Sequence, residues 1–198
     1  MMDLLSIKQN ARLMEKHRHI NVDCMDWWDY TYDCFKEDLK EKGIGVERMF
    51  FSGFWSQGDG ACFEGEIEDI GKFLDTNFKY TDYPIIRQLV KHNGSVTMKC
   101  GHRGRYYHEN CTSFSMDSDT FDQLWEQPTE MHQHVVRALD GALGFELLAF
   151  EEDTIEIFKN YMRELYKRLE KEYEDLTSDE SVAETILAND LYDDMEGE

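Results

Sequence analysis

From Ile155 to Leu176 the apolar residues Ile155, Phe158, Met162, Leu165, Leu169 and Leu176 follow one another at steps of three, four and seven. That spacing is one face of an α-helix, so this stretch is expected to lie along a core as a long amphipathic helix. Tyr161, Tyr166 and Tyr173 flank the apolar stripe. A second pattern limits what the helix can pack on. Val46 to Trp55 is rich in aromatics, Ser56-Gln57-Gly58-Asp59-Gly60 has turn chemistry, and Ala61 to Ile67 alternates, with Ala61, Phe63, Gly65 and Ile67 facing one way and Cys62, Glu64 and Glu66 the other. Apolar alternation on both sides of a glycine-rich turn predicts an antiparallel hairpin.

A second hairpin is expected from Val96 to Cys100 and Arg105 to Ser115, joined by Gly101-His102-Arg103-Gly104. Helices are expected elsewhere. Lys8, Arg12 and Lys16 stand four apart, on one helical face. Asn21 or Asp23 is placed to cap a helix that buries Trp27 or Trp28, Phe35 and Leu39 and stops at Gly43. Tyr83 to His92 has Pro84 in its first turn and Asn93-Gly94 as its stop. Phe121 to Leu143 looks helical, with Pro128 starting or interrupting it. Thr177-Ser178-Asp179-Glu180 fits a capping box for a last helix that offers Val182, Ala183, Ile186, Leu187 and Leu191 to a partner surface. The fold class is therefore α+β: a small antiparallel sheet of two hairpins packed with helices, and a helical C-terminal third. The expected division is residues 1–150 as an α+β core with two hairpins and 151–198 as an acidic helical segment.

Charge narrows the function. Asp+Glu total 42 against 21 Lys+Arg, a formal net charge of -21. After Lys171 there is no further Lys or Arg, while Glu172, Glu174, Asp175, Asp179, Glu180, Glu184, Asp190, Asp193, Asp194, Glu196 and Glu198 all follow. A helical run there would carry a charge about every 3.7 Å at 1.5 Å rise per residue, close to the phosphate spacing of about 3.4 Å along one DNA strand. Such a balance excludes nucleic acid as a ligand, since phosphates repel carboxylates. The plain alternative is that acidity only confers solubility.

No signal-peptide h-region and no run of transmembrane length occurs, and five cysteines (Cys24, Cys34, Cys62, Cys100 and Cys111) are an odd number. A cytoplasmic chain with reduced thiols is expected. Cys100-x-His102 and His108-x-x-Cys111 are spaced too closely for a zinc site, and His132-x-His134 does not share a helix face. No metal, cofactor or catalytic residue is assigned, because no nucleophile elbow, P-loop, H-E-x-x-H or G-x-G-x-x-G occurs.

The segment Ser52-Gly53-Phe54-Trp55-Ser56-Gln57-Gly58-Asp59-Gly60-Ala61 resembles a pattern, S-G-F-x-S-Q-G-D-G-A, of small tailed-bacteriophage proteins, some of them labelled antitoxin-like. The run Gly101 to His108, G-H-x-G-x-Y-x-H, extends the resemblance. It implies a phage origin and assigns no catalytic residue. Small acidic phage proteins of this kind include inhibitors of restriction enzymes, CRISPR effectors and DNA gyrase, and the chain resembles the DNA mimics among them.

The expected function is a non-enzymatic inhibitor acting as an acidic DNA mimic on a host DNA-binding protein. Its partner-binding residues are expected to be Glu64, Glu66, Glu68 and Asp69 with Glu172, Glu174, Asp175, Asp179, Glu180, Glu184, Asp190, Asp193 and Asp194. No membrane contact is expected, and the aromatic hairpin and the Ile155-to-Leu176 helix offer scaffold or a homodimer seam. The alternative is an antitoxin or regulatory module that covers a protein partner through its C-terminal helices.

Overall fold

A computed structural model describes residues 3–23, 26–91, 94–118 and 130–191, with the backbone alone for 130–140. Its elements run α1 (Leu4–Gln9), α2 (Ala11–Lys16), α3 (Asp29–Glu41), β1 (Ile44–Ser52), β2 (Gly60–Ile67), α4 (Ile70–Asn77), α5 (Pro84–Lys91), β3 (Val96–His102), β4 (Thr112–Ser118), α6 (Glu130–Leu176) and α7 (Asp179–Ala188). The α+β class holds, with helices and one four-stranded antiparallel sheet in the order β1-β2-β3-β4. Among the described residues no helix is long and apolar enough to cross a membrane.

The chain divides into two compact units, Cys34–Tyr166 and Met1–Asp33 with Lys167–Glu198. The boundary expected at 150/151 falls instead inside α6, a continuous helix of 47 residues. Two separate helices are thereby replaced by one. Leu143 and Phe150 are buried, so the apolar stripe begins well before Ile155, and Gly141 and Gly144 do not interrupt the helix.

In the Cys34–Tyr166 unit the sheet forms as the alternation requires. Ile44 pairs with Ile67 and Ser52 with Gly60, which sets the turn at residues 53–59. The two hairpins join through Gly65↔Cys100 and Glu66↔Lys99. Phe63, Gly65 and Ile67 are buried while Glu64 and Glu66 are half-exposed, but Cys62, expected outward, is buried too. Phe158 of α6 is fully buried and its ring meets those of Phe63, Phe73 and Phe114 at 5.7, 6.2 and 6.3 Å. Met162 and Leu165 are likewise fully buried. These members of the apolar stripe are thus core in the single chain and not a free dimer seam.

The second hairpin is wider than expected. Register runs from Val96↔Ser118 to His102↔Thr112, so the return strand begins at Thr112 and not at Arg105. The loop is closed by the Arg103 amide donating to the Cys111 carbonyl, and by a short 3-10 turn at Glu109–Cys111. His108 caps that turn, its Nδ1 accepting from the Asn110 amide at 3.2 Å.

In the other unit, Ile7, Leu13, Met14, Val182, Ala183 and Ile186 form one buried cluster. The N-terminal helix breaks at Asn10, whose side chain accepts from the Leu13 amide and starts α2, so Lys8 lies on α1 while Arg12 and Lys16 lie on α2. Asn21 does not cap α3, which begins at Asp29. Its amide donates instead to the Leu176 carbonyl at 2.9 Å and to Ser181 Oγ at 3.2 Å, and its oxygen accepts from Thr185 Oγ1 at 2.8 Å. The cap of α7 is Ser178, one residue beyond the expected Thr177, and Thr177 donates to the Tyr173 carbonyl. Gly43 ends α3 as expected, and Pro84 opens α5. Cys24, Pro128 and the helix stop expected at Asn93 lie outside the described residues.

Glycine is required at two positions of the first turn. Gly58 has φ +96, where a Cβ is strained, and a Cβ on Gly60 would stand 2.9 Å from the Tyr107 carbonyl oxygen. Replacing Gly60 by Val is expected to cost about 2 kcal/mol or more, and Gly58 by Val about 1–3 kcal/mol. Chemical denaturation measures both; an unchanged midpoint for Gly60→Val would show that the turn is not held against Tyr107 and His108.

Candidate functional site

The expected partner-binding carboxylates fall into three groups. Several are engaged within the molecule. Glu64 Oε2 pairs with Arg48 Nη2 at 2.7 Å, its Oε1 accepts from the His102 amide at 3.3 Å, and its side chain is 18% exposed. Glu66 pairs across the strands with Lys99 at 2.9 Å, and this contact holds the Lys99 ammonium above its usual pKa. Asp69 caps α4 by accepting from the Lys72 amide at 2.9 Å. Asp179 pairs with Arg18 at 2.5 Å, and Glu180 with Lys8. The bond to Asp179 is also what raises the Arg18 pKa. Two acids of the tail thus dock onto N-terminal cations of the same unit, alongside the apolar cluster.

A second group keeps its carboxylates for solvent. Glu68, Glu174, Asp175 and Glu184 are exposed and Glu172 is half-exposed, with no ion-pair partner among the described residues. Glu172, Glu174 and Asp175 lie on the last two turns of α6, where the chain carries no Lys or Arg beyond Lys171. A carboxylate at a helix C-terminus meets the negative end of the helix dipole, costing a few tenths of a kcal/mol to about 1 kcal/mol each. The third group holds Asp190, exposed with φ +51, and Asp193 and Asp194, which lie outside the described residues.

The apolar face expected to meet a partner is covered within the chain. Val182, Ala183 and Ile186 are fully buried against Ile7, Leu13 and Met14, with Leu187 and Leu191 packed at the edge.

The cysteine and histidine residues go to separate partners. Cys100 Sγ donates to the Phe63 carbonyl at 3.4 Å. The His102 ring lies 3.8 Å from Cys62 Sγ and packs beside Tyr107 and Phe50. His108 sits 2.9 Å from Glu109, which also accepts from Arg163 Nε at 3.1 Å. Among the described residues no group of three or more His, Cys, Asp or Glu is placed to hold a metal ion; the side chains of His132 and His134 are not among them.

Burial, with the Glu64 charge behind it, pushes the Cys62 thiol up to about 12, and burial pushes Cys100 up to about 12 as well. Both are neutral thiols at physiological pH, so the Cys62–His102 contact does not supply a thiolate nucleophile. Alkylation of the native protein at pH 8 should spare Cys62 and Cys100, and peptide mapping would read rapid labelling of either as a local opening of β2 or β3.

A cleft of about 190 Å³ between α4 and α5 is lined by Asp75, Tyr80, Arg87 and Lys91 among others. It falls short of the roughly 300 Å³ at which small-molecule sites begin. Of its two basic residues, Arg87 is engaged by three carbonyls and Asp75, and the Lys91 ammonium lies 5.8 Å from the Tyr80 ring centroid.

Sequence reasoning singled out the acids by their number, which does not tell a solvated carboxylate from a capping or paired one. Trp55 and Tyr106, which belong to the two segments that carry the phage resemblance but not to the expected partner-binding residues, stand 73% and 53% exposed. The signal was their place in glycine-rich turns, where a large apolar side chain has little core to enter.

A family model matches residues 27–179, and its description is a domain of unknown function, DUF8835. The chain belongs to that family. The matched residues take in α3 through α6 and leave out α1, α2 and all of α7 but its first residue. No curated protein matches the chain, and no solved structure does.

Proposed function

We propose that this protein is a phage-encoded, non-enzymatic inhibitor that binds a host DNA-handling protein by presenting carboxylates where that protein receives phosphates. The observation that carries this reading is the run Glu172, Glu174 and Asp175 on α6, exposed or half-exposed and without ion-pair partners among the described residues, in a chain of net charge -21. Retaining three carboxylates at the end of a helix where the dipole disfavours them is a small loss of stability that a binding role explains. Glu184 on α7 and Glu68 after β2 add charge of the same kind. Glu64, Glu66, Asp69, Asp179 and Glu180 serve instead to hold strands, caps and the N-terminal cations in place.

The mechanism is steric and electrostatic. A Lys/Arg-lined DNA channel attracts the acidic surface from a distance, association is steered, and the bound protein excludes DNA. DNA gyrase, restriction enzymes and CRISPR effectors of the host cytoplasm are the candidate targets. The test is inhibition of a panel of these three enzyme types by the purified protein. Inhibition of one of them that weakens with salt and is relieved by added DNA is expected. The triple variant Glu172→Gln/Glu174→Gln/Asp175→Asn should lose roughly tenfold or more in potency while melting as the wild type does. Failure to inhibit any of the panel, or equal potency of the variant, refutes the reading.

A further inference from the structure

The end of the sheet that carries the two glycine-rich turns is unlike the rest of this acidic chain. Arg103 and Arg105 are both exposed, and neither has an ion-pair partner among the described residues. Two aromatic side chains are exposed on the same two turns, Trp55 on the first and Tyr106, next to Arg105, on the second. The two turns lie close against each other. A Cβ on Gly58 would lie 3.3 Å from the Tyr106 ring, and Gly60 faces the Tyr107 carbonyl and His108.

The turn is also fixed from within. Asp59 Oδ2 accepts from the Trp55 amide at 2.9 Å and from the Ser56 amide at 2.6 Å. Phe54, buried beneath, packs on Phe51 and Tyr166 and holds the base of the Trp55 ring. The neighbouring acids are engaged elsewhere: Asp59 by those amides, Glu109 by Arg163, and Glu64 by Arg48. The result is a hydrogen-bonded pair of turns that exposes two aromatic rings and two guanidinium groups with no ion-pair partner among the described residues.

We propose that the Ser52–Gly60 turn and the Arg103–Tyr106 segment form a docking surface for an acidic peptide segment of a partner protein. Trp55 and Tyr106 take its apolar side chains and Arg103 and Arg105 its carboxylates. Tryptophan, tyrosine and arginine are the residue types that dominate protein-binding hot spots, and a side chain held in one conformation loses little entropy on binding. Small-molecule sites are concave, whereas these side chains project. A nucleic-acid strand also stacks on aromatics and pairs with arginine, but its sites span about four nucleotides or more. Such a strand would carry its further phosphates past the two arginines onto a chain with twice as many acids as bases. A short acidic peptide can place its carboxylates at the arginines alone. This surface uses none of the carboxylates of the proposed inhibitory function, so each can fail without the other.

The probe is a fluorescein-labelled peptide alternating glutamate with leucine, titrated with the intact protein and followed by anisotropy. Saturable binding that weakens with salt is expected, with a roughly tenfold or greater loss in Arg103→Glu/Arg105→Glu and in Trp55→Ala. Trp55→Phe, which keeps a ring, should retain most of the affinity and guards against loss of the turn. A lysine–leucine peptide, drawn to the acidic surface, should bind wild type and the arginine variant alike. No binding of the glutamate peptide, or equal binding by the arginine variant, overturns the proposal. So does displacement of the peptide by oligothymidylate, or a wild-type dimer in sedimentation that the arginine variant abolishes, since the occupant would then be a nucleic acid or a second copy.

Discussion

Replacing Arg87 by Ala should lower stability by about 3 kcal/mol, because the Asp82 carbonyl loses its donor while the Leu74 and Lys79 carbonyls, which keep the Phe78 and Asp82 amides, each lose a second, charged one. The residue is 9% exposed on α5. Its Nε donates to the Asp82 carbonyl at 3.0 Å, and Nη2 donates to the carbonyls of Leu74 at 2.9 Å and Lys79 at 3.2 Å. Leu74 lies in the last turn of α4, and Lys79 and Asp82 lie in the loop to α5, so one guanidinium ties a helix end and a loop to the next helix. Nη1 pairs with Asp75 at 2.5 Å, but the Asp75 side chain is 73% exposed and solvent screens that contact. Asp75→Ala should therefore cost under about 1 kcal/mol. Arg87→Lys should recover little, since an ammonium cannot reach three carbonyls in a fixed fork. Urea denaturation of the three variants decides the matter. Equal losses for Asp75→Ala and Arg87→Ala would mean that the ion pair, not the carbonyl clamp, is what matters.

Nothing near Arg87 in sequence announces this role, and the same difficulty recurs wherever a polar side chain acts at long range. Asn21 looks like a helix cap because Asn before a helical pattern usually is one. It bonds instead to Leu176, Ser181 and Thr185, more than 150 residues away. Elements governed by local periodicity were legible: β1 and β2 with their turn, the start of α5 at Pro84, and the apolar stripe of α6. The start of β4 was not, because the wide loop from Arg103 to Cys111 is set by an amide-to-carbonyl bond across it and a 3-10 turn. The continuity of α6 was hidden by Gly141 and Gly144, which weaken a helix locally by about 1 kcal/mol each, less than the burial of Leu143 and Phe150 supplies.

The candidate site was legible in one respect only. Excess charge showed that the surface is acidic, but each carboxylate's use depends on what lies opposite it in space. Lys8, noticed as part of a basic face, meets Glu180, while Arg18 in the turn that follows meets Asp179. Those pairs turn the beginning of the acidic tail into an internal contact. Glu172, Glu174 and Asp175, within the residues that match the family, have no such ion-pair partner among the described residues.

Ile186→Asp should then unfold the unit built from the chain's two ends and leave the sheet intact. Ile186 is fully buried with Ile7, Leu13, Met14, Val182 and Ala183, an apolar setting that offers a carboxylate no partner. Burying that charge, or exposing the cluster to avoid it, costs about 4 kcal/mol or more. Hydrogen exchange should show amides of α1, α2 and α7 losing protection while those of β1 to β4 keep theirs, since the two units have separate cores. Ile186→Ala, which only removes volume, should lose about 2–4 kcal/mol in the same region. The experiment also weighs the antitoxin alternative. A helix whose apolar face waits for a foreign partner is already open to exchange in the free protein, and Ile186→Asp would then change partner binding but not the melt. Protection in the wild type and its loss in Ile186→Asp would mean that the chain's own N-terminus is what covers this face, and that binding to others falls to the charged surface.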